Sequence, residues 1–392
     1  MLISADGGSW RPLARLPEPP PSAPAPATTP TIAPPVADYR PDTTYHPQVG
    51  PSGSGGVQVL PQGNPGSCAP TGIPSPTDFS AGVRGPQARE FDVVLSQLAT
   101  AVYENRPAPP PGWSAVTDQA LQDAGIADPA AWRAQYLHGG DELLSQNFHA
   151  EIYTDCNGNY VLSYRGTDGT PEDWMNNGRQ GVGLQTEDDA DKFSDLAADT
   201  AVEFERVFGA LGADGEATNL AITGHSQGGG LASAGSLASG IPAVTFDASG
   251  LHPNTLERMG FTPEEARAMA EDGLIRRYSL QDDALTQLQE SSPLALAAPD
   301  ALGTQVVVQA SGVQDLTLIG RGLDIETGLP SVVVHGLGAL LEGADRLNVP
   351  LVGGVGSLAR NLVSHSPELL TDAMIQQRPW EAGYVNPQDG GR

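Results

Sequence analysis

Apolar residues fall at helical spacing in Pro86–Tyr103, where Phe91, Val94, Leu95, Leu98 and Val102 make one stripe. The same period returns in Phe193, Leu196, Ala197, Thr200, Phe204, Val207 and Phe208. Between the two stripes, His149–Thr154 and Asn159–Tyr164 read as strands around the turn Asp155-Cys156-Asn157-Gly158. Short apolar runs then recur at Asn219–Thr223, Ala243–Phe246, Ile275–Leu280, Thr304–Val308 and Ser331–Val334, each predicting a strand. After the first of these runs, GGLASAGSLAS predicts a helix built of small residues. Helix and strand alternate, so the expected fold class is α/β, with a central, mostly parallel sheet flanked by helices. No internal repeat is evident.

Composition divides the 392-residue chain. Pro17–Val36 is a proline-rich run, and Gly50–Pro76 is rich in Gly, Pro and Ser. Neither holds enough apolar surface to offset the entropy of ordering, so residues 1–80 are expected to be a disordered arm. Residues 81–375 are left as the folded domain, with 376–392 as a tail.

A net charge of −27 with lysine only at 192 excludes nucleic acid as a partner, because phosphate neutralisation needs clustered Lys and Arg. It also weakens attraction to anionic membranes, so any transient lipid-surface contact must be apolar and local. Cys68 and Cys156 fit one disulfide or two free thiols equally well. No metal-ligand spacing surrounds them, and no cofactor is expected. The first residues, MLISADGGSW, lack a basic stretch followed by an apolar run, so export is expected to use a route independent of a signal peptide. No apolar run is long enough to span a bilayer.

Candidate chemistry centres on Gly224-His225-Ser226-Gln227-Gly228. In so glycine-rich a chain, Gly-x-Ser-x-Gly alone is weak. Its context strengthens it: a strand leads straight in, and a small-residue helix leads out. That is the strand–turn–helix of a nucleophile elbow in an α/β hydrolase, which exposes a serine hydroxyl above the sheet edge. His225 does not face Ser226 across such a turn, and a structural role is expected for it.

A second motif lies upstream, Tyr164-Arg165-Gly166-Thr167 followed by Asp173-Trp174. Together with Gly224–Gly229 it makes residues 90–345 resemble the class 3, fungal-lipase-like family of α/β hydrolases. The resemblance implies a serine esterase of lipid esters, acting on a phospholipid or other glycerolipid. It implies an oxyanion hole formed by Thr167 and the N–H of Gln227. Arg165 and Asp173 are expected to tie the loop down as an ion pair. Gly169–Gln185 is a candidate lid, and Trp174 is expected to pack. Some bacterial members are secreted phospholipase-type effectors, for which the resemblance implies a protective immunity protein. Other readings of the chain are a binding module on a hydrolase fold and an esterase for a soluble substrate.

Serine needs a base and a carboxylate to orient that base. In this fold the acid and then the histidine follow the serine in the chain. Asp282 and Asp283 end the run Ile275–Leu280, on the sheet edge where ligand sites form, and Asp283 is the preferred acid. Asp247, after Ala243–Phe246, remains as an alternative. His252 comes too early. His335 follows Ser331–Val334 at a separation similar to the family's usual spacing, and is the expected base, with His365 its rival.

Overall fold

Two-sided burial shapes the sheet in the computed structural model, which describes residues 72–103, 107–139, 148–155, 157–166, 191–212, 215–281, 283, 285–286, 299–309 and 365–387. All of these fall in the larger of two units of the chain, Tyr39–Arg392. The strands are β1 (Trp113–Ala115), β2 (Ala150–Asp155), β3 (Tyr160–Tyr164), β4 (Leu220–His225), β5 (Ala243–Phe246), β6 (Ile275–Leu280) and β7 (Thr304–Val308). They lie side by side in chain order. The pairs β1–β2 and β2–β3 are antiparallel, and β3 through β7 run parallel. Every residue of β3, β4 and β5 is buried, which is why these strands read as continuous apolar runs rather than alternating ones.

The helices are α1 (Phe79–Val83), α2 (Asp92–Ala101), α3 (Asp118–Asp123), α4 (Pro129–Tyr136), α5 (Asp191–Phe208), α6 (Gln227–Ser239), α7 (Pro253–Arg258), α8 (Pro263–Met269) and α9 (Pro367–Gln377). Strand order explains where they go. Crossovers between parallel strands are right-handed, so strands taken strictly in sequence send their connecting helices to one face. The helices between β3 and β6 obey. Phe204 and Phe208 of α5, Leu231 and Leu237 of α6, Leu256 of α7 and Ala266 of α8 share one core with Leu162, Ile222 and Ile275.

The opposite face must then be closed by the parts of the chain outside the crossovers. Phe79 of α1, Leu95 and Leu98 of α2, and Leu370 and Met374 of α9 pack there on Val161, Ala221, Val244 and Tyr278.

This arrangement moves both composition-based boundaries. Residues 72–80 belong to the fold rather than to the arm. Phe79 is buried edge-on against Phe91, and the Ser80 hydroxyl donates to the Leu220 carbonyl at 2.8 Å. Nor does the expected tail begin at 376, since α9 continues to Gln377. Trp380 and Tyr384 pack on the second core, and Asn386 bonds both the Val307 N–H and the Gln305 carbonyl. Those two groups lie on the side of β7 away from β6, where the C-terminal segment covers them.

A buried ion pair locks α2 to β6. The Arg276 guanidinium donates to both Asp92 oxygens, at 2.9 and 2.6 Å, and to the Val83 carbonyl at 3.0 Å. Tyr278 donates its hydroxyl to the same carboxylate at 2.6 Å. Both charged side chains are fully covered, and this bidentate geometry with supporting donors is what makes such burial tolerable.

Candidate active site

The carboxyl ends of β3, β4, β5 and β6 carry, in turn, Gly166, Ser226, Asp247 and Asp283 on one edge of the sheet. Ligand sites form at such edges in open α/β sheets. Ser226 follows β4 directly and caps α6. Its backbone is left-handed, with φ 59° and ψ −129°, a strained conformation for a residue with a side chain. The surroundings hold it there: its N–H donates to the Phe246 carbonyl, and its carbonyl accepts from Gly229 and Ser249. Gly224 and Gly228 are required by close approach. A Cβ on the first would strike the Gly228 carbonyl, and one on the second the Tyr164 carbonyl. The strand–turn–helix of a nucleophile elbow is therefore present, with Gln227 as the first residue of α6.

The histidine that meets this serine is His365. Its Nε2 lies 2.8 Å from Ser226 Oγ, and its Nδ1 lies 2.6 Å from Asp283 Oδ1. All three residues are buried. Among the described residues it is thus His365, the rival named from sequence, that stands where a base would, and His335, the expected base, lies outside the described residues. His365 stands just ahead of α9, whose apolar face is packed beneath the sheet, so docking of that helix delivers the imidazole. Asp283 is fixed twice more: its Oδ2 accepts the Thr286 N–H at 2.7 Å, and its own N–H donates to the Leu280 carbonyl at 3.0 Å. Asp282 lies outside the described residues, as do Thr167, Asp173, Trp174, the segment 169–185, Cys68 and Cys156.

His225 has the structural setting expected of it. Its Nδ1 is 3.1 Å from the Tyr103 hydroxyl, and its ring stands 4.8 Å from that of His365, centroid to centroid. The Tyr103 hydroxyl also accepts the Gly166 N–H at 3.1 Å, tying the end of β3 to the elbow. In the sequence Tyr103 only ends a helical stripe, and nothing in its spacing marks it out. His252 caps α7 by accepting the Asn254 N–H and takes no part. Asp247 is fully buried, and burial, with the charge of Asp283 adding to it, pushes its carboxyl well above the usual carboxylate range. At the outer end of β2, burial and the nearby Arg165 hold His149 down to about 4, so that imidazole is neutral.

Donor atoms of His225, Asp247 and His365 come within 4.8 Å of one another, the spacing of a possible cation site. Both ring nitrogens of His365 are already committed to Ser226 and Asp283, so an ion there would have to break one of those bonds.

Comparison with known proteins places the chain in a family. Residues 94–330 match the family model of the Tle-like phospholipase domain. The chain belongs to that family. The extracellular phospholipase A1 of Serratia liquefaciens is 35% identical over 82% of this chain and 80% of its own length. Among solved structures, the Rhizomucor miehei lipase–propeptide complex aligns at 14% identity with a TM-score of 0.28, covering 62% of this chain and 83% of that one. A fungal lipase–inhibitor complex gives 12% identity and the same score, over 50% of this chain and 83% of its own. Scores so low carry no weight, and the hydrolase fold stands on the strand order and the serine turn. As a Tle-like phospholipase family member, the chain is a lipid ester hydrolase. No described helix is long and apolar enough to cross a membrane.

Proposed function

We propose that this enzyme cleaves a carboxylic ester of phospholipids through a covalent acyl-enzyme on Ser226, with His365 as base and Asp283 as its orienting acid. The observation that carries the reading is the unbroken line Ser226–His365–Asp283, with separations of 2.8 and 2.6 Å. Ser226 Oγ attacks the ester carbonyl while His365 Nε2 takes its proton. Asp283 accepts the Nδ1 hydrogen and stabilises the imidazolium that forms. The carbonyl oxygen becomes an anion, for which the Gln227 N–H at the start of α6 and the Thr167 group supply donors. The ester C–O bond then breaks, and His365 returns the proton to the departing lysophospholipid oxygen. A water deprotonated by His365 releases the fatty acid and restores Ser226.

The finer reading is cleavage at the sn-1 position, supported by the name of the Serratia relative, a phospholipase A1. Secretion or delivery, transient contact with a lipid surface and neutralisation by an immunity protein extend this reading, supported by that relative's extracellular description and by the resemblance to effector lipases.

Phospholipid vesicles carrying distinguishable sn-1 and sn-2 acyl chains test the proposal. The parent should release the sn-1 acid and be labelled by a fluorophosphonate, and Ser226→Ala should do neither. An alanine variant that still hydrolyses the lipid at the parent rate refutes the mechanism, and release of the sn-2 acid refutes the position.

A further inference from the structure

Asp247 follows β5 as Ser226 follows β4, at a φ of 42° that a side-chain-bearing residue adopts only under constraint. Its Oδ1 accepts the Leu280 N–H at 2.8 Å, and the Leu280 carbonyl in turn accepts the Asp283 N–H at 3.0 Å. Leu280 is therefore gripped on both sides, by Asp247 through its N–H and by Asp283 through its carbonyl. Asp247 Oδ2 is buried and has no hydrogen-bond partner among the described residues. The titratable groups facing this carboxyl are His225 at the end of β4, Asp283 beyond β6 and His365 ahead of α9.

Resting on the proposed role of His365, we infer that Asp247 works as an uncharged carboxylic acid. It is a positioning residue that braces the end of β6, and with it Asp283, while leaving Asp283, among the described residues, to supply the negative charge on His365.

The geometry argues for the neutral form. An ionised Oδ2, to which no described residue donates, would be a bare charge in the interior, far costlier than a buried O–H. Two carboxylates beside one imidazole also resist ionising together, and the upward push on Asp247 from burial and from Asp283 points the same way. Neutrality serves the chemistry. A second anion would stabilise the imidazolium and keep His365 protonated at a pH where it must be free to accept the serine proton. A protonated carboxyl supplies the brace without that charge.

Asp247→Asn and Asp247→Ala in the full chain, assayed on a soluble nitrophenyl ester across pH, test the inference. Asparagine keeps the acceptor for Leu280 and replaces one neutral group by another. It should retain kcat within about threefold, with the acid limb of kcat/KM unmoved, because the charge around His365 is unchanged. Alanine strands the Leu280 N–H and should lower kcat by about tenfold with KM held. An acid limb displaced downward by about one pH unit in Asp247→Asn would mean that the parent carboxyl is charged, and would overturn the proposal. So would an asparagine variant as slow as the alanine one. Should the alanine variant fail to fold, the asparagine pH profile decides alone. Fluorophosphonate labelling of the parent but not of Ser226→Ala establishes the serine separately, so the two readings fail independently.

Discussion

Replacing Asp283 by asparagine changes one atom and should nearly stop the enzyme, for a reason readable from its hydrogen bonds. Oδ2 accepts the Thr286 N–H at 2.7 Å, and Oδ1 faces His365 Nδ1 at 2.6 Å. An amide has only one acceptor oxygen, and the Thr286 N–H claims it. The NH2 then points at His365 Nδ1 and donates to it, which drives the imidazole hydrogen onto Nε2. That hydrogen faces Ser226 Oγ across 2.8 Å, so the nitrogen that should accept the serine proton already holds one. The same exchange in a serine-protease triad lowers kcat by about 10⁴, which corresponds to about 5.4 kcal/mol of transition-state stabilisation. Burst kinetics with a nitrophenyl ester measure it, since acylation is the step lost while substrate binding is kept. Folding should be little affected, because the side chain keeps its shape. An Asp283→Asn enzyme within tenfold of the parent would refute the assignment of acid and tautomer together.

Two further expectations concern stability. Arg276→Met leaves the Asp92 carboxylate buried without its cation, at a cost of about 3–5 kcal/mol, which lowers Tm by roughly 10 °C. Adding Asp92→Leu should recover much of that loss by calorimetry, and a single variant within about 1 kcal/mol of the parent would show the pair to be dispensable. Denaturant midpoints across pH should reveal opposite slopes from two groups. His149, lowered from 6.5 to about 4, contributes stability that is full above pH 6.5 and lost as pH falls toward 4. Asp199, raised from 3.8 to about 6 mainly by burial, makes stability fall as pH climbs through that window, and Asp199→Asn should remove this second slope.

The central parallel strands were legible because burial on both faces leaves them mostly apolar, and the outer two by their short β-branched or aromatic stretches. Ala243–Phe246, Ile275–Leu280 and Thr304–Val308 have the bounds expected from sequence, and β4 runs Leu220–His225 where Asn219–Thr223 was expected. β1 was missed because three residues, two of them exposed, carry no period. Ser226 and Asp283 could be placed near each other from sequence because both stand at strand ends, where topology and sequence position coincide. His365 could not be chosen the same way. It precedes a helix that reaches the site by docking on the second core, and no chain separation encodes that. Composition misled at both ends for a related reason: Phe79 and Trp380 are single aromatics in Pro-, Gly- and Ser-rich or polar surroundings. Their value lies in the partners they meet, not in their neighbours along the chain.

The sequential strand order has a kinetic consequence. Because every crossover between β3 and β6 goes to one face, the other is closed by contacts between α2 and α9, from opposite ends of the folded region. Ser226 and its histidine are 139 residues apart in sequence. Contacts of such range close late, and a chain emerging from the ribosome displays its serine elbow long before the imidazole is made. A nascent or C-terminally clipped copy therefore has the nucleophile without its base. In the proposed mechanism, hydrolysis then waits for α9 to dock and bring His365 to Ser226.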